Sequence, residues 1–299
     1  MHRRIFLKNM MAVAGLSATA CVPRLVQAGV APEVAVVTNG DYAALVRQTI
    51  DLVGGMSRFV QPGNTVVIKP NMGWDRAPEL GANTHPLVVK TLVELALTAG
   101  AGRVEVFDYT CNEPRRAYQN SGIKDAVESL ASGTVRLEHI DHRKFVEYDI
   151  PRGKKITRWD IYRPAMEADC YINVPVAKHH GLSGLSLGLK NSMGVIEARG
   201  RLHFSLGQKL ADLATVVRAD LTVVDATRML LRNGPQGGRI SDVKRADTLV
   251  ASTDPVAADA YATTLFDRRP DEISSTVAAH EMGLGEMNID KMRLLGNAS

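Results

Sequence analysis

The stretch DCYINVPVAKHHGLSGLSLGLKNSMG, Asp169 to Gly194, decides the fold. It opens as a buried strand, Cys170 to Val176. It then breaks into Ala177-Lys178-His179-His180 and a glycine run, Gly181, Gly184 and Gly188, and closes on Lys190-Asn191. An apolar strand followed by cations and glycines is how an α/β protein builds a ligand site at the carboxyl end of a strand.

The segments before it support the same class. Val34 to Thr38 reads as a strand, with Asp41 as helix cap and a helix over Tyr42 to Phe59. Thr65 to Ile68 is a continuous β-branched strand of the kind covered on both faces. It leads into Lys69-Pro70-Asn71, a loop, and a helix from Pro86 to about Ala99 capped by Thr84 or His85. Arg103 to Phe107 is the next strand, ending in Asp108. This β-α-β-α-β order implies a mostly parallel sheet flanked by helices, with right-handed crossovers. Pro114 to Leu130 is helical with a break at Ser121-Gly122, and Val135 to Ile140 is a strand. Near residues 142–165 the alternation of Phe145 to Ile150 and Ile156 to Tyr162 around Pro151-Arg152-Gly153-Lys154 predicts a small antiparallel hairpin lobe. Beyond the central stretch come a helix over Phe204 to Arg218 and strands at Leu221 to Val224 and Thr248 to Ala251. A helix opening at Asp254-Pro255, a last helix near Asp271 to Met282 and a short strand at Met292 to Leu295 complete the chain. Residues 29–299 thus read as one α/β domain.

At 299 residues the chain can bury a large core, and its 45% apolar and 23% charged content is that of a globular protein. No apolar run reaches the roughly 18 residues of a membrane span. The net charge of +4 comes from Arg3, Arg4, Lys8 and Arg24, which lie in the first 28 residues among no acids; the other basic residues equal the 32 acidic ones in number. The basic balance is therefore a targeting signal, and no nucleic-acid partner is expected. Arg3-Arg4-Ile5-Phe6-Leu7-Lys8 resembles the twin-arginine export signal. A mildly apolar stretch follows, Met10 to Val22, and both Ala18-Thr19-Ala20 and Val26-Gln27-Ala28 are cleavage candidates. Residues 1–28 are the expected signal peptide, its partner the twin-arginine export machinery, and the mature protein is expected in the periplasm. There Cys111 and Cys170 can pair or stand as separate thiols. No Cys-x-x-Cys is present, so no iron–sulfur cluster is expected.

Polar residues recur at strand ends: Lys69 and Asn71, Asp108, Lys178 with His179 and His180, Asp225, and Asp254. In a parallel sheet such ends share one edge, so residues far apart in sequence meet in one crevice. Lys178 and Lys190, with Gly181, Gly184 and Gly188 freeing backbone N–H groups, suit a carboxylate or phosphate. The bland alternative is solvated loop lysines and glycines that only shape turns. His180 is the candidate proton carrier. His179, His203 and Asp225 are a weak metal set with no diagnostic spacing, each as readily a structural group. Asp225 and Asp259 are further acid–base candidates, and Asp254 before Pro255 reads more simply as a helix cap. Asn71, Asn191 and the loop Asn233-Gly234-Pro235-Gln236-Gly237-Gly238 can orient a ligand, the loop being equally a plain surface turn.

Several of these segments resemble, in order, a family catalogued as domain of unknown function 362. They are Val67-Ile68-Lys69-Pro70-Asn71, Asn173 to His180, Gly188-Leu189-Lys190-Asn191-Ser192-Met193-Gly194, Asn233 to Gly238, and Thr253-Asp254-Pro255-Val256-Ala257-Ala258-Asp259. Members often show Lys-Thr-His where this chain has Lys178-His179-His180, which makes His180 the counterpart of the family histidine. Many relatives carry a ferredoxin-like cluster segment that has no counterpart here. A weaker likeness, over Val60 to Ile68 and Pro86 to Gly100, is to the N-terminal part of the lactate racemase family that uses a nickel-pincer nucleotide. That family's Asp-x-Thr-Arg-Pro signature is replaced by Lys69-Pro70-Asn71, so the likeness implies a sheet plan and no cofactor; the cofactor is left unassigned.

Three functions fit. One is an exported enzyme acting on a small anionic, carboxylate-bearing molecule, with Lys178, Lys190 and His180 catalytic and Lys69, Asn71, Asn191, Asn233, Gln236 and Gly237 binding. Another is a periplasmic binding or carrier protein using the same crevice without turnover. The third is a metal-dependent hydrolase or isomerase.

Overall fold

A computed structural model describes residues 31–297. The expected signal peptide and its candidate cleavage sites, residues 1–28, lie outside the described residues. Strand β1 (Glu33–Thr38) leads through Asp41, whose Oδ1 accepts from Ala44 N at 2.8 Å, into α1 (Tyr42–Leu52). The helix ends earlier than its apolar spacing suggests, because Gly54 and Gly55 take φ of 99° and 79° and turn the chain away. Then come β2 (Thr65–Pro70), α2 (Pro86–Thr98), β3 (Arg103–Val106), α3 (Pro114–Asn120), α4 (Ile123–Glu128) and β4 (Val135–Leu137). The expected break at Ser121-Gly122 separates α3 from α4, and His85 caps α2 through Nδ1.

Strands β5 (Phe145–Asp149) and β6 (Arg158–Tyr162) form a separate antiparallel two-stranded sheet. It is tied to the body through the bridge Ile161↔Ile196 and the bond from Trp159 Nε1 to Glu197 O. After α5 (Arg163–Glu167) the central stretch begins with β7 (Cys170–Val174). Pro175 interrupts it, and the chain resumes as β8 (Val176–His180), which hairpins into β9 (Gly184–Ser186) before the short α6 (Gly188–Asn191). The segment read as a loop of cations and glycines is thus half strand: Lys178 stands on β8, and Gly184, at φ 76°, serves the hairpin turn. Next come α7 (Leu206–Ala214), β10 (Leu221–Leu230), β11 (Val243–Ser252), α8 (Pro255–Thr264), α9 (Ser274–Glu281) and β12 (Arg293–Gly296).

The main sheet runs β12-β1-β11-β10-β7-β2-β3-β4, with β8 and β9 branching from β10. Seven strands of that path are parallel; β11 alone runs against them, pairing antiparallel with both β1 and β10. This places Asp254, just past the end of β11, on the edge opposite the other strand-end residues. There its carboxylate accepts from Val256, Ala257 and Glu286 N, a helix cap and loop clasp.

Both faces of the sheet are covered. Val66, Ile68, Ile172 and Val174 pack with α1 and α2 through Leu45, Ile50, Val89 and Leu92, while Val67 and Tyr171 point the other way into a core shared with Ile161, Leu206 and Leu210. That two-sided burial is why these strands read as continuous apolar runs. Among the described residues no helix is long and apolar enough to cross a membrane.

Candidate functional site

Strands β2 and β7 stay paired as far as Pro70↔Val174. Beyond that point β8 follows β10, with Asp225 opposite Val176 and Leu230 opposite Lys178, while the chain after β2 turns off at Asn71. The divergence leaves polar side chains from β2, β7, β8 and α6 on one another. Lys69 Nζ ion-pairs with Asp108 Oδ1 at 2.8 Å and donates to Asn191 Oδ1 at 2.8 Å. Asn71 Nδ2 shares that oxygen at 3.1 Å, and Asn71 Oδ1 accepts from Lys178 Nζ at 3.1 Å. Lys178 also donates to Ala82 O and lies 5.7 Å from the centre of the Trp74 ring. Asn191 Nδ2 donates to Asn173 Oδ1 at 2.8 Å, and Asn173 Nδ2 to Gly188 O at 2.9 Å. Lys69, Asn71, Lys178 and Asn191 are therefore one hydrogen-bonded network, packed so closely that a Cβ on Gly194 would collide with Asp108 and Lys69.

Position within the network separates the lysines. Lys69 and Lys178 are each about 1% exposed, whereas Lys190 is half-buried. Among the described residues, the Nζ of Lys190 bonds only to the thioether of Met193, at 3.3 Å. Burial presses the Lys69 amine below its ordinary range, with Asp108 opposing. Burial lowers Lys178 to about 7 and Lys190 to about 8, and neighbouring cations push the same way. Arg199 adds a fourth cation, its guanidinium 4.0 Å from the Tyr109 ring centre and bonded to the Tyr109 and Thr110 carbonyls. Among the described residues, no Asp or Glu lies within ion-pair distance of Lys178 or Lys190. Cys111 is exposed beside this group, its Sγ 3.7 Å from Arg199 Nη1. Cys170 is buried within β7, and the two thiols are not bridged to each other.

Gly188, expected to offer its N–H to a ligand, offers it to the protein. Asp259 on α8 accepts from Gly188 N at 2.6 Å and Leu189 N at 2.9 Å, capping α6. A Cβ on Gly188 would stand 2.7 Å from that carboxylate, so the glycine serves the cap. Burial pushes the Asp259 carboxyl up to about 7, against the pull of the two N–H groups. Its part is to hold the helix that carries Lys190 and Asn191.

The histidines fall differently. His180 Nδ1 accepts from Leu182 N and Ser183 N, and burial with the charges of Lys190 and Lys178 lowers its pKa to about 3. Near neutral pH it is an uncharged imidazole with its proton on Nε2: a donor beside the lysines, ill suited to taking a proton. His179 Nδ1 accepts from Gly234 N at 3.2 Å, which fastens the Asn233 to Gly238 loop onto β8. Within that loop Asn233 Nδ2 donates to Asp242, Gly237 packs on Leu230, and Gln236 is exposed. Asp225 is buried and accepts from His85 N, Thr227 N and Thr227 Oγ1, pinning α2 to β10. His203 is exposed and lines a separate cavity of about 370 Å³ with Lys155, Leu182, Ser183 and Gln208. The weak metal set of His179, His203 and Asp225 is not assembled, and no group of three or more His, Cys, Asp or Glu among the described residues is arranged to hold a metal.

Asn173, Trp74, Cys111 and Arg199 belong to the site and were not singled out from the sequence. Asn173 alone carried a signal, as a lone amide inside an apolar strand; Arg199 arrives from a short 3₁₀ turn whose sequence marks nothing.

The fold defines the class: a mixed α/β protein with a mostly parallel central sheet, whose carboxyl edge carries the amide and lysine network. Residues 66–264 match the model of the family described as Domain of unknown function (DUF362), and the chain belongs to that family. The thylakoid-associated protein sll1697 of Synechocystis sp. is similar at 26% identity over 254 residues, 82% of this chain and 76% of the relative. The lactate racemase apoprotein of Thermoanaerobacterium thermosaccharolyticum is similar in structure at 12% identity and a TM-score of 0.45, over 76% of this chain. This chain spans 55% of the length of that protein, and likeness at this level says nothing of chemistry.

Proposed function

We propose that the protein is an exported enzyme whose crevice takes a small carboxylate-bearing anion at Lys178 and Lys190. The observation that carries this reading is the charge mismatch: Lys69 has Asp108, and among the described residues no carboxylate stands within ion-pair distance of the two other lysines. Buried or half-buried cations without counter-charges are costly to a fold unless a ligand supplies the charge. Asn71, which gives one Nδ2 hydrogen to Asn191, has a second to direct at the ligand, while Asn191, its amide fully engaged by Lys69, Asn71 and Asn173, holds the network in place. Binding without turnover is the second reading, favoured by the engagement of two of the three Lys178 donors by Asn71 and Ala82, which leaves one for an anion, and by the unsuitability of His180 as a base.

Calorimetric titration with small mono- and dicarboxylates across pH tests the site. Affinity is expected to fall as pH rises past about 8, because the ligand needs protonated amines whose free values are about 7 and about 8. Lys178→Met and Lys190→Met are each expected to weaken binding at least about tenfold. Affinities indifferent to pH and to both substitutions would remove the reading. Turnover of a ligand that binds separates the enzyme from the carrier.

Export rests on Arg3-Arg4 and the segment after them. Changing both arginines to lysine is expected to leave an unprocessed chain in the cytoplasm. Recovery of processed protein outside the cytoplasm from that double variant would count against the twin-arginine route.

A further inference from the structure

The three lysines are not equivalent. Lys69 is spent on Asp108 and Asn191, and Lys178 on Asn71 and the Ala82 carbonyl, both deep in the fold. Lys190 is the partly exposed member, and its one contact is a thioether, a weak acceptor that does little for an ammonium ion. Asp259 clamps the first two N–H groups of its helix, so the backbone that carries the amine is held in place while the nitrogen keeps its donors for a ligand. A lysine among other cations, short of acceptors, is the setting in which an amine becomes a nucleophile toward carbonyl carbon. The cations that disfavour its ammonium form also draw in an anion. A substrate that answers both features carries a carboxylate and an electrophilic carbonyl side by side.

We propose that Lys190 forms an imine with a 2-oxo acid, its Nζ attacking the keto carbon while the substrate carboxylate sits toward Lys178. The balance is simple. A neutral amine and a carbonyl give an imine and water; the nitrogen loses two hydrogens and the carbonyl oxygen leaves with both. Protonation of the imine by solvent gives the iminium. The His180 Nε2–H, beside the lysines, is placed to bond the carbonyl oxygen as it takes up negative charge.

This rests on the carboxylate site proposed above, and the experiment separates the two. The full chain is incubated with pyruvate and cyanoborohydride, with propanoate as the carbonyl-free control, and digested for peptide mass analysis; binding of both acids is measured calorimetrically alongside. The expected result is a gain of about 72 Da on Lys190, the mass of a reduced pyruvate imine, and none with propanoate. Lys190→Arg should lose the adduct, because a guanidinium forms no imine with the keto carbon, while the unaltered chain binds propanoate and gains no mass from it. Pyruvate and propanoate binding without an adduct, or an adduct spread over surface lysines such as Lys90 and Lys244, overturns the imine and leaves the carboxylate site standing. Failure of both acids to bind overturns both.

Discussion

Replacing Asp108 by alanine is expected to cost about 3–5 kcal/mol of folding stability, the range for removing one partner of a buried ion pair. The carboxylate is 3% exposed, its partner Lys69 is 1% exposed, and they meet at 2.8 Å. With Asp108 gone, the Lys69 ammonium keeps Asn191 and nothing of opposite charge. The Met72 N–H, which donates to Asp108 Oδ2 at 2.8 Å, loses its acceptor as well. Burial already presses the Lys69 amine below its ordinary range, and removing Asp108, which opposes that shift, presses it further. Urea unfolding of the purified protein measures the effect. The double variant Lys69→Met with Asp108→Leu should lose less than Asp108→Ala alone, since it leaves no orphan charge. A single-variant loss below about 1 kcal/mol would mean the pair is not the buried anchor of the site.

The second large effect is on pH. Lys178 titrates at about 7 and Lys190 at about 8 in the folded protein, against an ordinary value of 10.5. A folded-state value below the unfolded one means that the unfolded chain binds more protons between the two. Stability therefore rises with pH through that window. The ligand-free protein is expected to grow more stable from about pH 7 to about pH 9.5, by an amount on the order of a few kcal/mol. Above pH 10 the buried Tyr118 and Tyr171, whose hydroxyls burial pushes upward, turn the trend over. Most proteins peak between about pH 5 and 8, so the direction itself is diagnostic. Denaturant midpoints at a series of pH values read it, and the double variant Lys178→Met with Lys190→Met should flatten the rise. A midpoint that holds level or falls over this range in the parent protein would show that both amines keep ordinary values.

What the sequence disclosed followed from local rules. Pro86 after His85, Asp41 before Tyr42 and the alternation around Pro151 to Lys154 each gave an element that formed, because capping, proline placement and period-two patterning act within a few residues. The meeting of Lys69, Asn71, Lys178 and Asn191 was legible because strands that read as doubly buried must be parallel neighbours, and parallel strands end together. The misreadings share a cause: the deciding partner was distant. Gly188 looked like a ligand cradle because its acceptor, Asp259, lies 71 residues onward on another helix. Asp254 reads correctly as a helix cap, but its grouping by position with the other strand ends fails because the direction of β11 is set by pairing with β1 and β10 and not by its own residues. Lys178 looked like a loop residue because cations and glycines follow Val176, whereas pairing with β10 and β9 carries the strand on through His180.

The sheet order has a practical outcome for handling the molecule. Strands β1 and β12, the first and last of the described chain, are neighbours at one margin of the sheet, with β11 and β10 between them and β7. At about 4.8 Å per strand step, β1 stands roughly 14 Å across the sheet from β7. A reporter, affinity handle or surface tether joined just beyond β12 starts from that margin, four strand steps from β7 and the lysine network beside it.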